Sequence, residues 1–315
     1  MGGFICIIFQ QVSLNLDKGK LLANRKERVV MNSSKTIHVV SSTDDNYVPH
    51  LGVMFVSLLE NTQKNRKVQL YVLNGGITEK NKQWLQNTVA PYQTSIQFLD
   101  VDPKQYENAV ESRHITKASY YRISIPDLIS EPDIEKVLYI DSDTVVLEDV
   151  SSIYDQDISP NIAAAVIDCG LHDRLATLGV SEEANYFNAG IMLIDLKNWR
   201  ENQITEKAFE YIKNATDEQL EYHDQDILNT LLCNKWLELH PKWNAQAYLL
   251  LKQRRLEFID EIKKQEAFSK PAIVHFCGEE KPWLKGYVHP YKKTYYHFLA
   301  KTASGLEQGT SAKNF

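Results

Sequence analysis

The chain has 315 residues, 43% of them hydrophobic and 24% charged, a globular composition long enough for one large domain or two ordinary ones and unlike that of a disordered segment. Its 35 Lys and Arg against 41 Asp and Glu leave a formal charge of -6, which excludes a general nucleic-acid or polyanion binder unless the bases cluster. The cysteines, Cys6, Cys169, Cys233 and Cys277, stand far apart without C-x-x-C spacing, so neither a zinc knuckle nor a dense disulfide framework is indicated, and free thiols in a reducing cytosol are expected.

The opening MGGFICIIFQQVSL carries an apolar run from Phe4 to Phe9 with no basic segment ahead of it and no small-residue cleavage site behind it. It fits a secretory signal poorly and is too short to span a bilayer. Polar, basic LDKGKLLANRKERVV follows, and strong patterning begins only after Met31, so residues 1–30 are expected to be an extension outside the fold.

From there the patterns alternate. TIHVVSS (36–42) reads as a short buried strand, and Leu51, Met54, Phe55, Leu58 and Leu59 fall at helical spacing after Pro49, a residue suited to a first helical turn. VQLYVLNGG reads as a strand, ITEKNKQWLQNTV as a helix capped by Thr78, and SIQFLDV as a strand again. Strands separated by helices predict right-handed crossovers and an α/β fold whose mainly parallel sheet is flanked by helices. SSTDDNY stands after the first strand where G-x-G-x-x-G would mark a dinucleotide site, and no P-loop pattern occurs.

In such sheets ligands lie beyond the carboxyl ends of strands. Ser41 to Tyr47 occupy one such end and Asp141 to Asp143 another, the latter within KVLYIDSDTVVLEDV (136–150). Residues i and i+2 of an extended segment project to one side, so Asp141 and Asp143 can converge on a hard cation, whose remaining positions a diphosphate would fill. An isolated D-x-D is more often a solvated turn or a helix cap, because Asp favours turns for its local hydrogen bonding. The flanking sequence decides between these readings.

VLYIDSDTVVLEDV, YFNAGIMLIDLKNWR (186–200), HDQDILN (223–229) and IVHFCGEEKPW (273–283) together resemble glycosyltransferase family 8, including its general-stress-protein-A-like and lipopolysaccharide galactosyltransferase members. The motifs come in the family's order over roughly residues 36 to 290. The resemblance implies a GT-A type fold and retaining transfer of a hexose from UDP-glucose or UDP-galactose to a saccharide, lipid-linked or protein-linked acceptor.

It implies a Mn2+ ion held by Asp141, Asp143 and His275, a mixed set that suits Mn2+ better than the alternative, Mg2+. Ser42, Thr43, Asp44, Asp45, Asn46 and Tyr47 match the nucleoside loop, where Asp44 would accept from the uracil ring, although Asp and Asn there would also serve as helix caps. His114 and Arg122, in RHITKASYYRISIPDLI, match residues approaching the donor; alone, Arg122 would be read as a solvated helix residue. Ser142, between the two acids, is expected near the nucleotide ribose. Lys281 matches a lysine at the phosphates, with Gly278 allowing close backbone approach; the departure CGEE adds two acids there. Asn188, Ala189 and Gly190 resemble a turn at the donor sugar, and Asp168 an acid near the sugar hydroxyls. Asp224 and Gln225, at the start of a helix with an Ile227, Leu228, Leu231 and Leu232 stripe, match the positions facing the anomeric centre. Glu148 and Asp149 match nothing and are expected in a solvated loop.

Two other functions fit the same pocket: a UDP-sugar hydrolase, and a UDP-sugar-binding stress protein without turnover. Acceptor dependence of UDP release separates the first from a transferase, and intact Asp141, Asp143, His275 and Lys281 argue against the second. The expected organisation is a glycosyltransferase domain over 31–290 and a basic-aromatic tail over 291–315. In that tail Lys292, Lys293 and Lys301 interleave with Tyr291, Tyr295, Tyr296 and Phe298. This composition suits peripheral contact with an anionic membrane, and the competing, preferred reading is an amphipathic helix packing its aromatics on the domain. The last residues, TASGLEQGTSAKNF, read as a small, polar end. The location implied is cytoplasmic, with the inner membrane face as the peripheral option.

Overall fold

The computed structural model describes residues 36–111, 116–251, 256 and 258–303. The expected N-terminal extension, His114 and the polar end from residue 304 lie outside the described residues. Ile37–Thr62 and the chain from Val68 onward belong to one compact unit, and everything below concerns that unit.

Strand β1 (Ile37–Thr43), helix α1 (Val48–Asn61), β2 (Val68–Asn74), α2 (Glu79–Val89) and β3 (Ile96–Asp100) realise the alternation read from the sequence. Thr78 caps α2 by accepting from Asn81 N–H. α1 begins one residue before Pro49, with Tyr47 at its N-cap and no side-chain cap. Seven further strands complete the large and small sheets up to His275: β4 (Lys136–Ile140), β5 (Thr144–Val146), β6 (Ala163–Ile167), β7 (Phe187–Asp195), β8 (Trp236–Glu238), β9 (Ala245–Gln246) and β10 (Ile273–His275).

The main sheet has seven strands in the order β3-β2-β1-β4-β7-β6-β8. The pairs β3-β2, β2-β1, β1-β4 and β6-β8 are parallel, and β7 runs antiparallel to both neighbours. Alternate residues of the central strands serve opposite faces, as the period of two requires. Val137, Tyr139, Met192 and Ile194 join one buried cluster, whereas Leu138, Ile140, Ile191 and Leu193 join the other.

A second, three-stranded sheet, β5-β10-β9, supports a third cluster. α1 closes the β5 edge with side chains: Ser57 Oγ accepts from Val146 N–H at 2.9 Å, and Asn61 Nδ2 donates to Val146 O at 3.0 Å. These bonds satisfy backbone groups that an open edge would leave to solvent. Helix α3 (Ile204–Asn214) and helix α4 (Asp224–Leu231) pack their apolar stripes on the first cluster. The last helix among the described residues, α5 (Lys292–Leu299), buries Tyr295 and Phe298 in the third cluster beside Val53 and Val56 of α1, and Tyr295 OH lies 2.6 Å from His50 Nδ1. The tail aromatics therefore pack on the domain up to Phe298, while Tyr296 stays exposed. Among the described residues no helix is long and apolar enough to cross a membrane.

Candidate active site

The segment Asp141–Asp143 is the joint between the two sheets. β4 ends at Ile140, paired with Ile191, and Asp141 N–H continues the ladder by donating to Gly190 O at 2.8 Å. β5 starts at once in the small sheet, where Thr144 pairs with His275 and Phe276 N–H donates to Asp143 O at 3.0 Å. Two registers thus bring Gly190 and His275, both distant in sequence, against the acidic pair.

One ligand atom each from Asp141, Asp143 and His275 falls within 4.8 Å of the others. His275 Nε2 stands 3.3 Å from Asp143 Oδ1 and 3.9 Å from Asp141 Oδ2. Gly190 forms the wall behind them: a Cβ there would lie 2.3 Å from His275 Cε1 and 2.8 Å from Asp141 Oδ2. Two carboxylates, one imidazole and a backbone cut away to seat them fit a divalent cation. Lys281 Nζ sits 2.5 Å from Asp143 Oδ2 and donates to Phe276 O at 2.7 Å. Burial alone would raise Asp143, but Lys281 and His275 outweigh it and hold the carboxyl well below the ordinary range. Burial likewise lowers Lys281, and Asp143 more than reverses this, so the amine stays charged.

Arg122 is buried and not a solvated helix residue. Its guanidinium lies over the Tyr139 ring at 4.4 Å, places Nη2 3.2 Å from Asp141 Oδ1, and donates from Nη1 to Ala189 O at 2.5 Å. Nε is 2.8 Å from Asp224 Oδ2, yet its hydrogen is directed to Ser119 O at 2.9 Å. Asp224 Oδ2 therefore has a cation beside it and no hydrogen-bond donor aimed at it. Burial pushes the Asp224 carboxyl up to about 6, against the opposing pull of Arg122.

The other end of the cleft is built on Asp168, just past β6. Its Oδ1 accepts from Gly170 and Leu171 N–H at 2.7 and 3.0 Å, and its Oδ2 from Asn188 Nδ2 and Gln225 Nε2 at 3.0 and 3.2 Å. Gln225 Oε1 accepts Ala189 N–H at 2.9 Å. Asn188, Ala189 and Gly190 lie inside β7, whose pairing with β6 shifts register between Ala165 and Val166. They form strand where a turn is expected from the sequence, and the bulge turns them toward the cleft.

The cleft has a volume of about 650 Å³ and is lined by Ser42, Thr43, Asp44, Tyr47, Arg122, Asp141, Ser142, Asp143, Asp168, Asn188, Ala189, Gly190, Asp224, Gln225, His275, Gly278 and Lys281. Gly278 has φ 89°, the left-handed region that favours glycine, where the chain turns toward Lys281. Trp283 then stacks on His50 with ring centroids 3.4 Å apart. Of the two extra acids, Glu279 lines the cleft.

Asp45 and Asn46 are not brought to it. Asp45 Oδ1 accepts from Thr78 N–H and Oγ1 and from Asn81 Nδ2, between 2.8 and 3.0 Å, so it ties the loop to α2. Asn46 is exposed, and its N–H donates to Asp44 Oδ1 at 2.9 Å. Glu148 and Asp149 lie in a loop, as expected, but it is half-buried and their carboxylates are engaged by the protein: Glu148 pairs with Lys242 at 2.9 Å, and Asp149 Oδ1 accepts from Ser151 N–H at 2.9 Å and Oγ at 2.7 Å.

The structure adds lining residues that the motifs do not flag, among them Thr116, Ser119, Tyr139, Tyr222, His223 and Tyr248. Tyr139 had a signal, since it stands two residues before Asp141 on the same strand face; its OH donates to Asp141 Oδ1 at 2.7 Å. His223, at φ 55° and ψ -131°, is a strained residue at the start of α4 that no spacing announces.

A family model described as glycosyl transferase family 8 matches residues 38–286. The chain belongs to this family. General stress protein A of Bacillus subtilis is 50% identical over 274 residues, covering 86% of this chain and 96% of that protein. The lipopolysaccharide 1,3-galactosyltransferase of Salmonella typhimurium is 28% identical over 276 residues, covering 85% and 78%. The crystal structure of galactosyltransferase LgtC with donor and acceptor sugar analogues superposes with a TM-score of 0.76 at 25% identity, covering 85% of this chain and 96% of that one. The fold is accordingly the α/β, GT-A architecture of family 8 glycosyltransferases, as the sequence motifs imply.

Proposed function

We propose that this family 8 enzyme transfers a hexose, glucose or galactose, from its UDP-sugar to an acceptor hydroxyl with retention of anomeric configuration, using Mn2+. The observation that carries this reading is the convergence of Asp141, Asp143, His275 and Lys281 at one end of a cleft whose other end is the Asp168, Asn188 and Gln225 group. A divalent ion held by the two acids and the imidazole would supply positive charge against a diphosphate. Lys281 and Arg122, both buried and charged, provide fixed donors for the same purpose without reorganising as charge develops on the leaving group.

Gln225 argues for same-face attack and against a covalent intermediate. It is a neutral amide, and its oxygen and nitrogen are both engaged, with Ala189 N–H and Asp168. Asp224 is paired with Arg122. Both side chains orient, and the departing phosphate takes the acceptor proton.

The test is UDP release from UDP-glucose, UDP-galactose and UDP-N-acetylhexosamines with Mn2+, with and without a panel of saccharide and lipid-linked acceptors, and after chelation. Acceptor-dependent release that stops on chelation and returns with Mn2+ is expected. Release indifferent to every acceptor identifies a hydrolase, and a glycosyl adduct trapped on Gln225 defeats same-face attack.

A further inference from the structure

A single file of buried hydrogen bonds joins the two ends of the cleft. It starts at the Asp168 carboxylate, passes through Asn188 and Asn244, and ends on the His275 ring. Asn244, fully buried, precedes β9, which pairs in parallel with β10, and this pairing carries its side chain against His275. We propose that Asp168, acting through Asn188 and Asn244, locks a proton on Nδ1 of His275 and thereby makes Nε2 the nitrogen offered to the metal. Asn188 and Asn244 are on this account positioning residues for the metal site.

The direction of every bond follows from groups that can act in only one way. Gly190 N–H can only donate, and it meets the Asn188 side chain at 3.1 Å, so the atom there is Oδ1. The Asn188 amide nitrogen then faces Asp168 Oδ2 at 3.0 Å, where a carboxylate can only accept. Both ends of Asn188 demand the same orientation. Its Oδ1 also lies 2.8 Å from Asn244, whose contacting atom must therefore be the donor Nδ2. The remaining atom of that amide, Oδ1, is 3.0 Å from His275 Nδ1, and an amide oxygen there requires a proton on the ring nitrogen.

Asp168 holds its own end rigidly. Gly170 and Leu171 N–H occupy Oδ1, so the carboxylate cannot rotate away from Asn188. A ring that carries a proton on Nδ1 has only Nε2 to coordinate with, and Nε2 is the atom facing Asp141 and Asp143. An outer partner of this kind fixes the tautomer and the ring plane, and losing it costs about 10- to 100-fold in metal affinity in comparable sites.

The inference rests on reading Asp141, Asp143 and His275 as a metal site, and its test separates the two. Load the protein with 113Cd2+ in place of Mn2+, label histidine with 15N, and ask which His275 nitrogen couples to cadmium and whether Nδ1 carries a slowly exchanging proton. Coupling at Nε2 with a protected Nδ1 proton is expected. Next, measure Mn2+ affinity, from the free-ion electron paramagnetic resonance signal, in wild type, Asn244→Leu and Asp168→Asn.

Asn244→Leu, which changes no charge, should raise the Mn2+ Kd about 10- to 100-fold and expose the Nδ1 proton to exchange. Asp168→Asn should also expose it, because Gly170 and Leu171 keep the new amide oxygen on their side and turn its NH2 against the donors of Asn188 and Gln225. Loss of charge alone would lower affinity without touching that proton.

Coordination through Nδ1, or an Asn244→Leu variant with unchanged affinity and proton protection, overturns the inference while leaving the sugar-transfer reading intact. Absence of specific Cd2+ and Mn2+ binding in the wild type overturns both. The wild-type measurement decides the matter even where a variant does not fold.

Discussion

A methyl group added at Gly190 would press on His275 Cε1 and Asp141 Oδ2 at once. Neither neighbour can yield, since His275 is held by Asn244 and Asp141 by Tyr139 OH and Arg122. Gly190→Ala is expected to abolish measurable Mn2+ binding and to cost about 1–3 kcal/mol of stability from overpacking, read by metal titration and urea unfolding; a variant that binds Mn2+ like the wild type would show that the wall is not needed. Asp224 makes a second residue-scale prediction. Its folded carboxyl titrates near 6, above the ordinary Asp value near 3.9 of an unfolded chain, so between those pH values the folded state holds more protons. Its contribution to stability therefore falls as pH rises through that window, by an upper limit of about 3 kcal/mol at about 1.4 kcal/mol per unit. Asp224→Asn in metal-free protein should gain on the wild type by about 1–3 kcal/mol between pH 4 and pH 7. An unchanged difference would mean that Arg122 fully compensates the burial. What sequence could say at this scale was uneven. Asp141, Asp143 and His275 stand in a recognisable family order, but Arg122 reads as a surface residue because its partners, Asp141, Ala189 and Asp224, come from three other segments. Asp45 fails for the opposite reason: it stands in the matched loop, but its partners in α2 draw it off.

The helix α5 shows how an element divides between core and surface. Tyr295 is buried with its hydroxyl on His50, whereas its neighbour Tyr296 is 42% exposed. Tyr295→Ala should cost about 3 kcal/mol, the low end of large aromatic truncations, and Tyr296→Ala about 0.5 kcal/mol or less, both by urea unfolding. Equal effects would contradict the packing of the helix on α1. Whether α5 also meets an anionic surface depends on its outer face, which Tyr296 and Lys293 occupy, because Lys292 donates to Leu284 O and Tyr287 O and Lys301 pairs with Glu60. Elements with full periods were legible in the sequence: β1 to β3 and the helices between them follow from strand-length apolar runs and one helix cap. The direction of β7 was not, because eight continuous buried positions look alike in either orientation and only the connections decide it. The small sheet was largely hidden as well, since β5 and β10 have three residues and β9 two, too few for a period to appear. That sheet nonetheless holds His275: the apolar run Ala272, Ile273 and Val274 reads as a short strand leading to it, but only the motif around that histidine marks it as a ligand.

At the scale of the molecule, the cleft draws on residues from Ser42 to Lys281, carried by both sheets, α4 and the segment after β10. Binding there joins elements that no single stretch of chain connects, so a ligand for this site should stabilise the fold as a whole. A ligand that binds only the folded state adds RT ln(1 + [L]/Kd), about 2.7 kcal/mol at a hundredfold excess over Kd. The metal and the nucleotide should also depend on each other, because the ion needs oxygen ligands beyond three protein atoms and a diphosphate offers them beside Lys281. UDP with Mn2+ is therefore expected to raise the unfolding free energy by more than the sum of UDP alone and Mn2+ alone, and the excess measures their coupling. The comparison needs no knowledge of the acceptor and no turnover. His275→Ala should remove the excess while leaving most of the effect of UDP alone, since on the proposed reading the nucleoside sits at another strand end, lined by Ser42, Thr43, Asp44 and Tyr47. Strict additivity in the wild type would separate the metal from the diphosphate and defeat the shared-site reading. An excess that survives His275→Ala would place the ion elsewhere. Hydrogen exchange adds a spatial check on the favourable outcome: protection should rise together in β4, β7 and β10, the strands that meet at Asp141, Gly190 and His275.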